Sequence, residues 1–110
     1  MQILRQSREF TKKEIFKMAN GNHELLKNVP DDTKFHMVDY VRYRSDDDKE
    51  IAIIFTAEAD GEVETVATNS PTVIKTIESA MDFMETSDLE FILKRALSKS
   101  GRTFMNVELY

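Results

Sequence analysis

The sequence contains no cysteine, which excludes disulfides and thiolate metal ligands alike. Proline and glycine are scarce, with two and three copies in 110 residues, so each reads as punctuation between elements. Histidine occurs twice, as His23 and His36, and neither has a partner at ligand or catalytic spacing. Ser-His and Cys-His catalysis therefore have no support, and no glycine-rich phosphate loop is present. The acidic stretch "SDDDKE" fails the twelve-residue calcium pattern, having neither Gly at its sixth position nor Glu at its twelfth. No apolar run approaches the roughly 20 residues of a membrane span, and "MQILRQSREFTKKE" lacks the apolar core of a signal peptide. The expectation is a non-enzymatic protein without cofactor, metal or membrane segment.

What is present suits one small folded domain. Hydrophobic residues make up 41% and charged residues 32%, with no repeat, linker or low-complexity tract. The formal net charge is -5, but it is uneven. Residues 1–45 hold nine Lys/Arg against six Asp/Glu, and residues 46–110 hold six against fourteen. A locally basic face on an acidic protein is therefore expected, and the local field governs binding more than the total.

Thr11 opens a helix, because "TKKE" has the form of a capping box. Phe10 and Ile15 sit at staple positions, and Gly21 is expected to end the helix in the left-handed region. "VPDDTK" is a turn. "KFHMVDYVRYR" is a long strand, with Phe35, Met37, Asp39, Val41 and Tyr43 on one face and His36, Val38, Tyr40, Arg42 and Arg44 on the other. Neither face is cleanly apolar, which suggests a strand that bends and serves two sheets, or one with a face used for contact. "EIAIIFTAE" is a central strand, the turn "ADGE" follows, and "VETVAT" is a third strand. "NSPTVIKTIESAMDFM" is a helix with Ser70 as N-cap and Pro71 in its first position; Val73, Ile74, Ile77, Met81 and Met84 form its apolar stripe. For "SDLEFILKRALSKSG", helical spacing of Leu89, Ile92, Leu93, Ala96 and Leu97 competes with a strand reading favoured by the hairpin-like "SKSGR". "RTFMNVELY" closes the chain as a strand, with Thr103, Met105, Val107 and Leu109 inward.

With the ambiguous segment as a strand, the order after a leading helix is β-β-β-α-β-β. That is the order of an oligonucleotide-binding (OB) five-stranded Greek-key barrel. In "FTAEADGEVE", "VATNSPTVI" and "SKSGRTFMNVEL" the chain resembles the small single-stranded DNA-binding proteins of phages and conjugative elements of Gram-positive bacteria. The resemblance spans roughly residues 10–110 and implies strand for Leu89–Leu97. It also implies an N-terminal extension with a short helix over residues 1–23, an OB domain over 24–110, and a place in the cytoplasm of a bacterial host. The long acidic tail of cellular single-strand-binding proteins is missing from the sequence.

Single strands are held by cations along the phosphates and by rings stacked on bases. Tyr40, Arg42 and Arg44 share one face of the first long strand and offer both groups; Lys34 and His36 extend that face. Arg95, Arg102 and Phe104 add to it from the last two strands, with Phe104 pointing outward. The competing reading makes Tyr40 and Tyr43 packing residues and pairs Arg42 and Arg44 with nearby aspartates. Phe35 and Phe55 are expected in the core. The partners expected are single-stranded DNA, with RNA admitted by the same chemistry, and a second copy of the chain through residues 1–20. Two rival readings are a small acidic interaction module that inhibits a host enzyme by mimicking DNA, and an OB-like domain with no nucleic acid ligand.

Overall fold

A computed structural model describes residues 1–58, 60–86 and 89–110. Ala59 of the expected Asp-Gly turn, and Ser87 and Asp88 at the start of the ambiguous segment, lie outside the described residues. The chain is mainly β, with 44% strand, 22% helix and a sheet curled into a half-barrel. Its elements run β1 (Gln2–Gln6), α1 (Lys12–Asn20), β2 (Glu24–Leu25), a 3-10 turn (Leu26–Asn28), β3 (Lys34–Arg44), β4 (Glu50–Ala57), β5 (Val63–Thr68), α2 (Pro71–Met81), β6 (Glu90–Leu97) and β7 (Thr103–Leu109). The ambiguous segment is thus a strand. The expected leading helix is itself preceded by a strand, and the sheet has seven strands rather than five.

The strand order is β2-β5-β4-β3-β6-β7, with β1 added beside β3. β3 is long enough to serve two neighbours along one edge. Lys34–His36 pair with β6, while Val41–Arg44 pair with β1. Its other edge pairs with β4 along most of its length. That β3–β4 ladder skips a residue between Met37 and Asp39, a bulge that reverses which side chains face which side. Before the bulge, Met37 faces the α2 side; after it, Tyr40 does so, whereas Val41 and Tyr43 face α1.

The sheet is buried on both faces. On the α2 side, Met37, Tyr40, Ala52, Ile54, Phe91, Leu93 and Val107 enclose Val73, Ile77 and Ala80 of the helix. On the α1 side, Val41, Tyr43, Ile53 and Ala67 meet Phe10 and Met18, with Ile15 and Phe55 at the margin. This explains the unbroken apolar run of β4, whose alternate residues enter different cores. Phe35 and Phe55 are partly buried against these cores, as expected, with Phe55 stacked on Phe10 and Phe35 tilted against Phe91. Residues 1–23 pack into the same body, since β1 joins the sheet and Phe10 and Met18 are buried.

The local signals for the helices hold. Thr11 and Glu14 form the reciprocal capping box. Arg8 and the Thr11 amide hold the Glu14 carboxyl down at about 2. Ser70 caps α2 with Pro71 in its first turn, although the helix stops at Met81 and leaves Met84 largely exposed. Gly21 is corrected: its φ is -84°, an extended conformation. A Cβ there would meet the Lys17 carbonyl oxygen at 2.6 Å, so glycine serves close approach rather than a left-handed turn. The hairpins after β3, β4 and β6 share one form, closed by Ser45–Lys49, Glu58–Glu62 and Ser98–Arg102 hydrogen bonds. Each places one residue at positive φ, Asp48, Gly61 and Gly101 respectively.

β5 and β7 do not pair among the described residues, so the sheet does not close on itself. The segment from β2 to Thr33 runs from the β5 edge to the start of β3, against β6. β2 runs parallel to β5, and the Asp32 amide donates to the Leu93 carbonyl of β6. Arg95 pins this strap, donating to the carbonyls of Lys27 and Val29 at 2.9 and 2.8 Å and to Asp31 at 2.7 Å. Lys94 pairs with Asp32 beside it. Arg95→Ala removes three charge-assisted hydrogen bonds from a partly buried site. Urea unfolding followed by circular dichroism should show a loss of about 2 kcal/mol; an unchanged midpoint would contradict the clamp.

Candidate nucleic-acid interface

The β3 bulge splits the expected binding face. Tyr40 and Arg42 turn toward α2, whereas Lys34 and His36 precede the bulge and lie on the opposite side. Tyr40 is fully buried, so its ring cannot stack on a base, and its place in the expected site is corrected. The Tyr40 hydroxyl donates to Glu78 Oε2 of α2 at 2.6 Å. Burial, and then that carboxylate, push the phenol's pKa up, which keeps it a neutral donor.

Arg42 is corrected too. Its Nε donates to Glu78 Oε2 at 2.6 Å, its Nη2 to Glu78 Oε1 at 3.2 Å and its Nη1 to Glu50 at 2.8 Å. The Glu78 bond is the main cause of its raised pKa. Arg5 of β1 completes the group, 3.6 Å from Glu78 and bonded to Asp82 at 2.6 Å. The Tyr-Arg alternation is therefore a lock: one half-buried carboxylate ties β1 and β3 to the helix. Both Glu78 oxygens are engaged by donors, the condition under which a sheltered ion pair is favourable.

Arg95 is spent on the strap and lies opposite Met105 rather than beside Phe104. Arg44 is half exposed and approaches Asp48 at 3.5 Å. Lys34 is exposed, with its ammonium 3.7 Å from the Tyr110 ring centroid and bonded to that phenol. His36 is partly buried, aligned between Glu90 of β6 and Ala57 of β4. Phe104 points outward and is exposed, as expected, opposite Ala96. Of the inward set, Val107 is buried and Met105 half-buried, but Thr103 and Leu109 at the strand ends are exposed.

The structure brings Arg102 and Phe104 together on one arm. The β6–β7 hairpin also carries Lys99 and the exposed Leu97. From Leu93 to Val107 the sequence holds Lys94, Arg95, Lys99 and Arg102 and no carboxylate. Lys94 and Arg95 are neutralised by Asp32 and Asp31. Lys99 and Arg102 form no ion pair among the described residues. Sequence reasoning missed Lys99 as a neighbour of Arg102, and missed Glu78 altogether. Glu78 sits between Ile77 and Met81, at the margin of the α2 stripe, and that flanking position was the available signal.

A cleft of about 430 Å³ lies beside the strap, lined by residues including His23, Tyr43, Ile51, Ala67, Asn69 and Met105. His23 is held within it, its ring nitrogens 2.6 Å from Thr65 Oγ1 and 2.9 Å from the Met18 carbonyl. Among the described residues no group of His, Asp and Glu could hold a metal, and no helix is long and apolar enough to cross a membrane. Compared with family models, curated proteins and solved structures, the chain matches none.

Removing one member of the lock leaves the others underbonded. Glu78→Ala should lower stability by about 3 kcal/mol and Tyr40→Phe by about 1.5 kcal/mol, measured by chemical unfolding. Equal stability of both variants and the parent would show that the carboxylate does not carry this junction.

Proposed function

We propose that the protein is a sequence-tolerant single-stranded DNA-binding protein of OB type, coating replication or transfer intermediates of a phage or mobile element. The observation that carries this reading is the β6–β7 arm, which bears Lys99 and Arg102, without ion pairs among the described residues, and the exposed ring of Phe104. Cations attract phosphates without reading sequence, and a ring stacks on any base. The connectivity supports the same reading. Three antiparallel strands, β3 to β5, lead through α2 to a final hairpin that returns beside β3. In OB barrels the loop joining the last two strands is one of those that grip oligonucleotides. The resemblance in "SKSGRTFMNVEL" falls on this same arm. Arg44, half exposed at the far end of β3, is a further phosphate contact in this reading.

The DNA-mimic alternative rests on the hairpins after β3 and β4, where Asp46 and Asp48 are almost wholly exposed and Glu58, Asp60 and Glu62 are exposed as well. One titration separates the two. Fluorescent oligo(dT) should bind at low salt and weaken as salt rises, with a log-log slope of about -0.7 per phosphate engaged. Arg102→Ala should reduce that slope by about 0.7, and Phe104→Ala should cost about 1–3 kcal/mol of affinity. Absence of binding at low salt would overturn the proposal in favour of the mimic.

A further inference from the structure

A second surface combining a ring with cations lies on α1. The helix buries Met18, and partly Ile15, against the sheet. Its other side exposes Lys12, Lys13, Phe16 and Lys17, with Phe16 at 69%. Lys12 and Lys13 lie four and three residues before Phe16, so both reach the ring's flank, and Lys17 extends Lys13's row. Charge alone makes this face unusual. The protein carries a net charge of -5, and many of its other cations, including Arg5, Arg8, Arg42, Lys94 and Arg95, are held by carboxylates. Glu14, the only carboxylate in α1, is turned back to Thr11 and Arg8. Lys12, Lys13 and Lys17 form no ion pair among the described residues.

The position of this face matters as much as its chemistry. The exit of α1, Gly21 to His23, forms one wall of the cleft, and Met105 of β7 lines it as well. Met105 directly follows Phe104 and so takes the opposite face of β7 from that ring. The cleft thus lies between the exit of α1 and the inner face of β7, with Thr68, Asn69 and Ser70 offering polar groups along it.

We infer that α1 is a second contact for the same single strand. Phe16 stacks on a base, Lys12, Lys13 and Lys17 engage phosphates, and the intervening nucleotides cross the cleft. This rests on the single-strand reading above. A lipid surface is the poorer occupant, because the apolar side of α1 is already buried in the protein and leaves no amphipathic face to insert.

The test measures oligo(dT) affinity against oligonucleotide length and salt for the parent, Phe16→Ala, the triple variant Lys12→Gln/Lys13→Gln/Lys17→Gln, and Arg102→Ala, each checked for its fold by circular dichroism. Parent affinity should rise with length until the oligonucleotide spans both contacts. The α1 variants should lose that rise and keep short-oligonucleotide binding. The triple variant should reduce the salt slope by about 2, from three lost phosphate contacts, and Phe16→Ala should weaken long-oligonucleotide binding roughly tenfold. If Arg102→Ala weakens binding while the α1 variants match the parent at every length, the inference fails and the function stands. If the parent binds no oligonucleotide at low salt, both fail. Phosphatidylserine vesicles bound by the parent and released by the lysine substitutions, with oligonucleotide binding unchanged, would overturn the inference in favour of a membrane contact.

Discussion

The structure turns on one extra residue in β3. The bulge between Met37 and Asp39 sends Tyr40 and Arg42 to the α2 side of the sheet and leaves Val41 and Tyr43 to pack against α1. Without it, the tyrosine and arginine that reach Glu78 would stand on the other face, and Glu78 would be a sheltered carboxylate without donors. A buried or half-buried charge of that kind costs several kcal/mol unless it is paired. The bulge, the Glu78 lock and the seat of α2 therefore stand or fall together.

The open edges of the half-barrel are covered by a different device. A sheet edge carries unsatisfied amides and carbonyls that invite pairing with other chains. Here the β5 edge takes the short parallel β2, and the strap beyond it is fastened to β6 by Arg95 and Lys94. At the β7 edge the Val107 amide donates to the Asn106 side chain, which also accepts from Thr76 of α2. Arg5, Arg8, Arg42, Lys94 and Arg95 are committed to such internal tasks. Among the described residues, the β6–β7 arm and the outer face of α1 each carry an exposed ring and two or more cations without an ion pair.

Much of the architecture was legible in local signals. The capping box at Thr11, the Ser70-Pro71 start of α2 and the Gly61 and Gly101 turns are set by backbone chemistry within a few residues, and they occur where the sequence placed them. The two-sided burial of β4 was visible in its unbroken apolar run. The segment before Leu97 was not decided by periodicity, because its residues suit either a helix stripe or a strand whose two faces are unequal. β1 and β2 were missed because each is short and gains its order from a neighbour rather than from its own pattern.

The candidate site was less legible, for a reason that is also local. Alternation in β3 assigns faces correctly only while the ladder keeps register, and nothing in "FHMVDYVR" marks the skipped residue. The expected face of Lys34, His36, Tyr40, Arg42 and Arg44 was therefore divided at the bulge, and its two most suggestive members became structural. Phe104 keeps the outward face expected of it because the short β6–β7 ladder has no such interruption. The most direct measurement is an amide chemical-shift map of the labelled protein with and without oligo(dT). The account predicts perturbations at residues 97–104 and along the outer face of α1, with Tyr40 and Arg42 quiet. Changes centred on the Tyr40–Glu78 lock, or none in the β6–β7 arm, would contradict it.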